Sequence, residues 1–212
     1  MICGIDEAGR GPLAGPVSAA AVILPDNFPV SILGDSKKLN QKQREDAFYF
    51  ITENAIAWAV AWASHTEIDK INILQASLLA MQRAFDFLLH GDGSKEKWPF
   101  VLETEISFGR PLTDPACCID LNAIVDGLHA PALPVPCKAL VKADSSVHEV
   151  MAASILAKTA RDALMLHYSR LYPQYGYEKH KGYPTKAHRE LVLKYGPSPI
   201  QRKSFKTRLL QN

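Results

Sequence analysis

The first eighteen residues, Met1 to Ser18, read MICGIDEAGRGPLAGPVS, and their reading decides the rest of the chain. Ile2, Cys3 and Ile5 form a short buried strand that delivers two adjacent acids, Asp6 and Glu7, to its end, on opposite faces if the strand stays regular. An ionised carboxylate taken out of water is costly unless it is paired, hydrogen-bonded or bound to a cation, so two of them at one strand end predict a metal. Gly9, Gly11 and Gly15, with Pro12 and Pro16, then turn the backbone sharply and bring it close to a ligand with no Cβ in the way.

Working outward, Val17 to Leu24 (VSAAAVIL) reads as a second strand stopped by Pro25-Asp26-Asn27, so the chain opens with a hairpin-like pair. Asp35 to Lys38 is a polar loop, and Asn40 is placed to cap a helix from Gln41 to Asn54 with Ala47, Phe48, Phe50 and Ile51 on its buried stripe. Next, Ile56, Trp58, Val60 and Trp62 alternate with alanines at 57, 59, 61 and 63, a strand with one large face and one small face fit to receive a helix. Ile71 to Leu89 has helical periodicity and is the expected covering helix. From His90 to Cys118 the chain is irregular, until Ile119 to Val125 resumes a strand ending on Asp126-Gly127. Cys137 to Lys142 is another strand that leads into Asp144. Ser146 and Glu149 fit a capping box for a long helix from Val147 to about Leu171, stopped by Pro173. Gly176 to Thr185 reads as an aromatic and basic loop, Lys186 to Tyr195 as a short helix, and Gly196 to Pro199 as a break before a basic tail. The alternation predicts an α/β sheet flanked by helices, with a helical C-terminal segment.

A chain of 212 residues fits one domain, or one domain with a helical appendage. It opens directly on strand-like sequence, and its apolar runs are too short or interrupted to span a bilayer, so a soluble cytoplasmic protein is expected. Cys3, Cys117, Cys118 and Cys137 show no CxxC spacing, which favours reduced thiols over a zinc site or a disulfide framework. Charge is unevenly spread. Residues 179–212 hold nine Lys or Arg against Glu190 alone, a balance of +8 that leaves −6 for residues 1–178 of the net +2. A basic end beside an acidic body suits an enzyme that grips phosphates with one part and metals with another, although a merely solvated basic helix gives the same count.

Three strands thus end in carboxylates: Asp6 with Glu7, Asp126, and Asp144. If they are neighbours in one sheet, four acids meet at one edge, where like charges raise one another's pKa and Mg²⁺ or Mn²⁺ turns the repulsion into coordination. Taken singly, Asp144 reads equally well as a turn or cap residue before Ser146, and Asp126 before Gly127 as a turn. No GxSxG or HExxH competes for the chemistry. Gly9-x-Gly11-x-x-Ala14 matches part of a dinucleotide fingerprint, but a helix must begin in that turn and VSAAAVIL reads as a strand. A non-catalytic basic nucleic-acid binder accounts for the tail and leaves the acids idle.

The stretch ICGIDEAGRGPLAGPV resembles the opening motif of the ribonuclease HII family, the type 2 ribonucleases H. DSKKL at 35–39, NILQASLLAMQRA at 72–84, VDG at 125–127, VKADS at 141–145, AASILAKTARD at 152–162, YGYEKHKGYPT at 175–185 and GPSPIQRKSF at 196–205 are similar to the family in the same order. The resemblance implies a ribonuclease H-like mixed sheet, with a catalytic domain over 1–170, an insertion at about 90–118, and a substrate-binding segment over 171–212. It implies an endonuclease that hydrolyses the RNA strand of RNA/DNA hybrids and cuts 5′ to single ribonucleotides in duplex DNA, leaving 3′-hydroxyl and 5′-phosphate ends. Such an enzyme serves ribonucleotide and RNA primer removal, and is expected to work as a monomer. By the same resemblance Asp6, Glu7, Asp126 and Asp144 are the acidic quartet holding two Mn²⁺ or Mg²⁺ ions during catalysis. Gly9, Arg10 and Gly11 sense the ribose 2′-OH, and Tyr183 stacks on the sugar at the junction. On its own, Tyr183 reads more readily as a half-buried core residue. Lys181, Arg202 and Lys203 are candidates for phosphate contacts, and Asp162 reads as a packing or supporting residue. Leu128 and Gln201 stand where the family often has Asn and a basic or imidazole side chain.

Overall fold

The computed structural model describes residues 1–33, 39–91, 107–114 and 120–205. Six strands form one sheet: β1 (Ile2–Ala8), β2 (Val17–Ile23), β3 (Ala57–Ala63), β4 (Ser107–Arg110), β5 (Asn122–Asp126) and β6 (Cys137–Leu140), in the order β4-β3-β2-β1-β5-β6. The first four pair antiparallel, while β1, β5 and β6 run parallel, so the sheet is mixed and β1 lies at the change of direction. Around it stand α1 (Gln41–Asn54), α2 (His65–His90), α3 (His148–Leu171), α4 (Tyr177–His180) and α5 (Lys186–Tyr195). No helix among the described residues is long and apolar enough to cross a membrane.

The two faces of β3 divide the core as its alternation requires. Ala57, Ala59, Ala61 and Ala63, with Cys3, Ile5 and Val17, pack against Ile68, Ala76, Ala80 and Ala84 of α2. On the other face Trp58, Val60 and Trp62 meet Phe48 and Ile51 of α1 and Ile155 and Leu156 of α3. Gly4 of β1 belongs to this face, and a Cβ there would come within 2.1 Å of the Glu149 backbone, so the start of α3 crosses β1 only because residue 4 has no side chain.

Local signals set most helix ends. Asn40 accepts from the Gln43 amide, and Gln43 reaches back to the Asn40 amide, a closed capping box at the start of α1. The covering helix starts at His65, not Ile71, because Ser64 and Glu67 form a second capping box. At Asn72 (φ 68, ψ 167) the helix kinks, and Asn72 Oδ1 accepts from the Leu74 and Gln75 amides at 2.9 and 3.1 Å, which recaps it where the periodic pattern begins. The capping box expected at Ser146 and Glu149 does not form. Val147 is the N-cap without a side-chain bond, and the Ser145 and Ser146 hydroxyls instead donate to the Lys142 carbonyl, drawn there by the left-handed Lys142 (φ 62).

The irregular reading of 90–118 fails at Ser107–Arg110, which pairs with β3 as the edge strand β4. Phe108 is 1% exposed there, its ring 5.8 Å from Trp58 and 6.0 Å from Trp62. A short α4 also occupies part of the expected loop at 176–185. The expected strand start at Ile119, the Asp35–Lys38 loop, Cys117, Cys118 and most of the 90–118 stretch lie outside the described residues.

Candidate active site

Register brings the acids together. β1 and β5 pair in parallel with Ile5 opposite Val125, so the next residues along, Asp6 and Asp126, are side by side. β5 and β6 pair with Asp126 opposite Leu140, and the chain then turns through Lys142 into a 3-10 turn, Ala143–Ser145, that carries Asp144. Asp126 Oδ1 accepts from the Ala143 amide at 2.8 Å, so one candidate ligand anchors the turn bearing another. One carboxylate oxygen each from Asp6, Asp126 and Asp144 lies within 4.8 Å of the others. Glu7 leaves the regular strand on the face opposite Asp6, its Oε1 3.4 Å from Arg10 Nη1.

These acids open into a cavity of about 430 Å³ that is also lined by Arg44, Ser154, Lys158 and Tyr183. Glu7 and Asp126 additionally form a wall of a second hollow on the α2 side, beside Leu74, Leu78, Met81 and Leu128. Burial raises the Asp6 carboxyl well above the ordinary range, and the neighbouring Glu7 raises it further, against the opposing hydrogen bonds from Ser154 and the Glu7 amide. Glu7 is raised as well, chiefly by burial, with Arg10 working against the shift. The donor set fits a hard divalent cation: clustered carboxylate oxygens, two of the acids held above their ordinary pKa by burial and mutual repulsion, and no nitrogen or sulfur ligand in the group.

Beside the acids the glycine turn is tied to the C-terminal segment. Leu13 donates to the Gly182 carbonyl at 2.8 Å and Gly15 to the Ile200 carbonyl at 2.9 Å, and Arg202 donates its amide to Leu13 at 2.9 Å. Tyr183 is 38% exposed and lines the acidic cavity, so it is no core tyrosine. Its backbone is pinned on both sides, by the His180 carbonyl at 2.8 Å and by His188 Nδ1 at 3.0 Å, and the His180 and His188 rings stack on each other with centroids 4.4 Å apart.

Arg202 corrects the phosphate reading. It is 1% exposed and donates to the carbonyls of Gly9, Arg10, Gly15 and Pro16, so its guanidinium is consumed inside the protein. Gln201 is likewise buried, bridged to Ala14. Lys203 is exposed, with its own amide fixed by Asp69 at 2.9 Å. Lys181 is half-buried in a left-handed conformation (φ 50), and its ammonium donates to the Glu178 carbonyl at 2.5 Å. Asp162 supports rather than lines the cavity, holding Lys158 at 2.7 Å and Arg44 at 3.8 Å.

Sequence reasoning missed Ser154, Lys158, Arg44 and Arg161. The first two lie one turn apart on the α3 surface facing β1, a placement visible only once Gly4 shows where α3 crosses the sheet. Arg161 is 0% exposed and donates to the carbonyls of Ala14, Pro16 and Lys181. Burial lowers the pKa of Arg161 to about 10, and burial together with Arg161 lowers that of Arg202 to about 9.

A family model described as Ribonuclease HII matches residues 3–208. The chain is 54% identical over 208 residues to a ribonuclease HII of Treponema denticola, covering 97% of this chain and 98% of that protein. It is 47% identical over 205 residues to a ribonuclease HII of Dechloromonas aromatica, covering 97% and 90%. Among solved structures, the ribonuclease H2 of Pyrococcus horikoshii has the same fold, with a TM-score of 0.68 at 23% identity over 100% of this chain and 99% of that one.

Proposed function

The chain belongs to the ribonuclease HII family and is an endoribonuclease, and on that premise we propose that it hydrolyses the RNA strand of RNA/DNA hybrids and cuts 5′ to single ribonucleotides embedded in duplex DNA, leaving 3′-hydroxyl and 5′-phosphate ends. The observation that carries this reading is the meeting of Asp6, Asp126 and Asp144 within 4.8 Å in a cavity shared with Tyr183. Asp6, Glu7, Asp126 and Asp144 would hold divalent metal, Mn²⁺ or Mg²⁺, and two such ions when bound supply an activated water and a stabilised leaving oxygen. Arg10 restrains Glu7, and Asp126 orients the turn of Asp144 through the Ala143 amide. The exposed ring of Tyr183 offers a surface for the ribose, and the Gly9-Arg10-Gly11 backbone offers donors for its 2′-OH, the group that separates RNA from DNA. Residues 1–170 act as the catalytic part and 171–212 as the substrate-binding segment, with Lys181 and Lys203 toward phosphates, in a cytoplasmic monomer.

Incubating the pure protein with a DNA duplex, an RNA/DNA hybrid and a DNA duplex carrying one ribonucleotide, each with Mn²⁺, Mg²⁺ or EDTA, tests the proposal. Cutting of the second and third only, and only with metal, is expected. Cutting in EDTA, or equal cutting of plain DNA, rejects it.

A further inference from the structure

The glycine turn is held from inside the protein by two cations whose hydrogen-bond partners are all neutral. Arg161, on α3, and Arg202, in the C-terminal segment, are 0% and 1% exposed. Among the described residues every hydrogen bond from either guanidinium goes to a backbone carbonyl, those of Ala14, Pro16 and Lys181 for Arg161 and those of Gly9, Arg10, Gly15 and Pro16 for Arg202. Withdrawing a guanidinium from water is unfavourable, and leucine or methionine would fill the same space without that penalty. What these cations provide is direction: several carbonyls from separate parts of one turn are drawn to two points.

Direction matters because a trans peptide is planar, with its C=O and the following N–H pointing opposite ways. The Gly9 and Arg10 carbonyls turn in toward Arg202, so the Arg10 and Gly11 amides turn away from it. Among the described residues neither amide donates to a protein acceptor. The turn and the cations are also fitted to one another sterically. Gly9 has φ 99, and a Cβ there would lie 2.0 Å from Arg161 Nε. Through the Lys181 carbonyl, Arg161 further fixes the backbone just before Tyr183, whose ring centroid lies 5.8 Å from its Cζ.

We propose that Arg161 and Arg202 are positioning residues for ribose recognition, aiming the Arg10 and Gly11 amides outward and locking the turn to the Tyr183 loop without touching the substrate. The inference rests on the reading above, in which that turn and Tyr183 meet the sugar. It is tested with Arg202→Lys, Arg202→Met, Arg161→Lys and Arg161→Met beside the wild type. Three quantities are measured: kcat/KM with Mn²⁺ on the single-ribonucleotide duplex, the rise in Tm on adding Mn²⁺, and backbone amide exchange.

Since a misplacement of about 1 Å can cost about 10²-fold in rate, the Lys and Met variants are expected to lose about 10²-fold in kcat/KM. Amide exchange should quicken at residues 9–16 and 181–183 but not in α1, and the Mn²⁺-induced rise in Tm should stay. Lysine keeps the charge and loses the planar fork, so a lysine variant with wild-type rate and exchange overturns the proposal. So does a loss of rate accompanied by loss of the Mn²⁺ response, which marks general collapse. Should the variants not fold, the wild type decides by NMR. Two arginine Nε–H signals exchanging slowly with water support the clamp, and rapid exchange at both overturns it. A wild type that does not cut the single-ribonucleotide duplex refutes the functional reading, while amide exchange and the Nε–H signals still judge the clamp.

Discussion

Two regions of this molecule bury charge, and they dispose of it in opposite ways. At the edge of the sheet Asp6, Asp126 and Asp144 converge with Glu7 nearby, and burial and mutual repulsion leave Asp6 and Glu7 harder to ionise. Behind the glycine turn Arg161 and Arg202 are buried more completely, yet their donors are spent on carbonyls. The first region gathers like charges around a cavity, and the second draws its charges into neutral carbonyls. A count of charges along the chain sees an acidic body and a basic end, and hides Arg161 inside the former. The destination of each donor and acceptor separates a site that waits for a ligand from a frame that holds one.

The comparison breaks most easily at the acids. Asp126→Asn is expected to lower the metal-dependent cleavage rate about 10³-fold, since a metal contributes several kcal/mol of transition-state stabilisation and each 1.36 kcal/mol is about tenfold. Asp6→Asn should do the same while raising the Tm of the metal-free protein. Asp6 has a folded pKa above its ordinary value, so stability falls as pH rises from the ordinary carboxylate range to that folded value, and the amide removes the loss. Melting curves from pH 4 to 8, about the range where carboxylates and histidine titrate, should show wild type and Asp6→Asn converging at the acid end. Full turnover by Asp6→Asn, or a parallel pair of curves, would place the charge elsewhere.

Distance from both regions is sharpened by Phe108. With its ring packed on Trp58 and Trp62, Phe108→Ala should cost about 3 to 5 kcal/mol in urea unfolding while leaving the cleavage rate of the folded protein unchanged. An inconsequential substitution would show that β4 adds little to the core. The stretch was misread for a physical reason. SFGR is four residues long and contains a glycine, so its strand character comes from pairing with β3 and not from its own pattern.

Where the pattern was long, the sequence was legible: the alternating alanines and tryptophans of β3, the Asn40 cap, and the meeting of Asp6 with Asp126, to which Asp144 is added from a 3-10 turn past the end of β6. Arg202 was not legible, because a basic residue in a basic tail carries no mark of the carbonyls more than a hundred and eighty positions earlier to which it donates. Ser146 does not cap α3 because the N-cap falls at Val147, and the Ser146 hydroxyl donates back to the Lys142 carbonyl instead of accepting from a helix amide.

Between the two regions stands Tyr183, attached to the frame and facing the site. Tyr183→Ala should slow cleavage of the single-ribonucleotide duplex about 10- to 100-fold, since a misplacement of the reacting group by about 1 Å can cost about 10²-fold. Because the ring is 38% exposed, the Tm should barely move, and Tyr183→Phe should retain most of the rate. A collapsed melt with proportional loss on every substrate would assign the ring to the frame instead.

The smallest expected effect is at Lys203, and it isolates what separates a lysine beside the clamp from the arginine within it. Asp69 binds the Lys203 and Ser204 amides at 2.9 and 2.8 Å, so the backbone is fixed while the Lys203 side chain is exposed. Its adjacent neighbour Arg202 faces inward, and the chain turns just after it, the Phe205 amide donating to the Arg202 carbonyl at 3.3 Å. If Lys203 meets a phosphate, Lys203→Gln removes one counter-ion-releasing contact. The slope of log K against log salt should then fall by about 0.9, equally for plain duplex, hybrid and single-ribonucleotide DNA. The ratio of affinities for ribonucleotide-containing and plain DNA should stay where it was, since a phosphate contact carries no information about the sugar. A changed ratio at an unchanged salt slope would mean that Lys203 acts through Arg202 on the turn, and that the frame extends one residue further than its buried charges indicate.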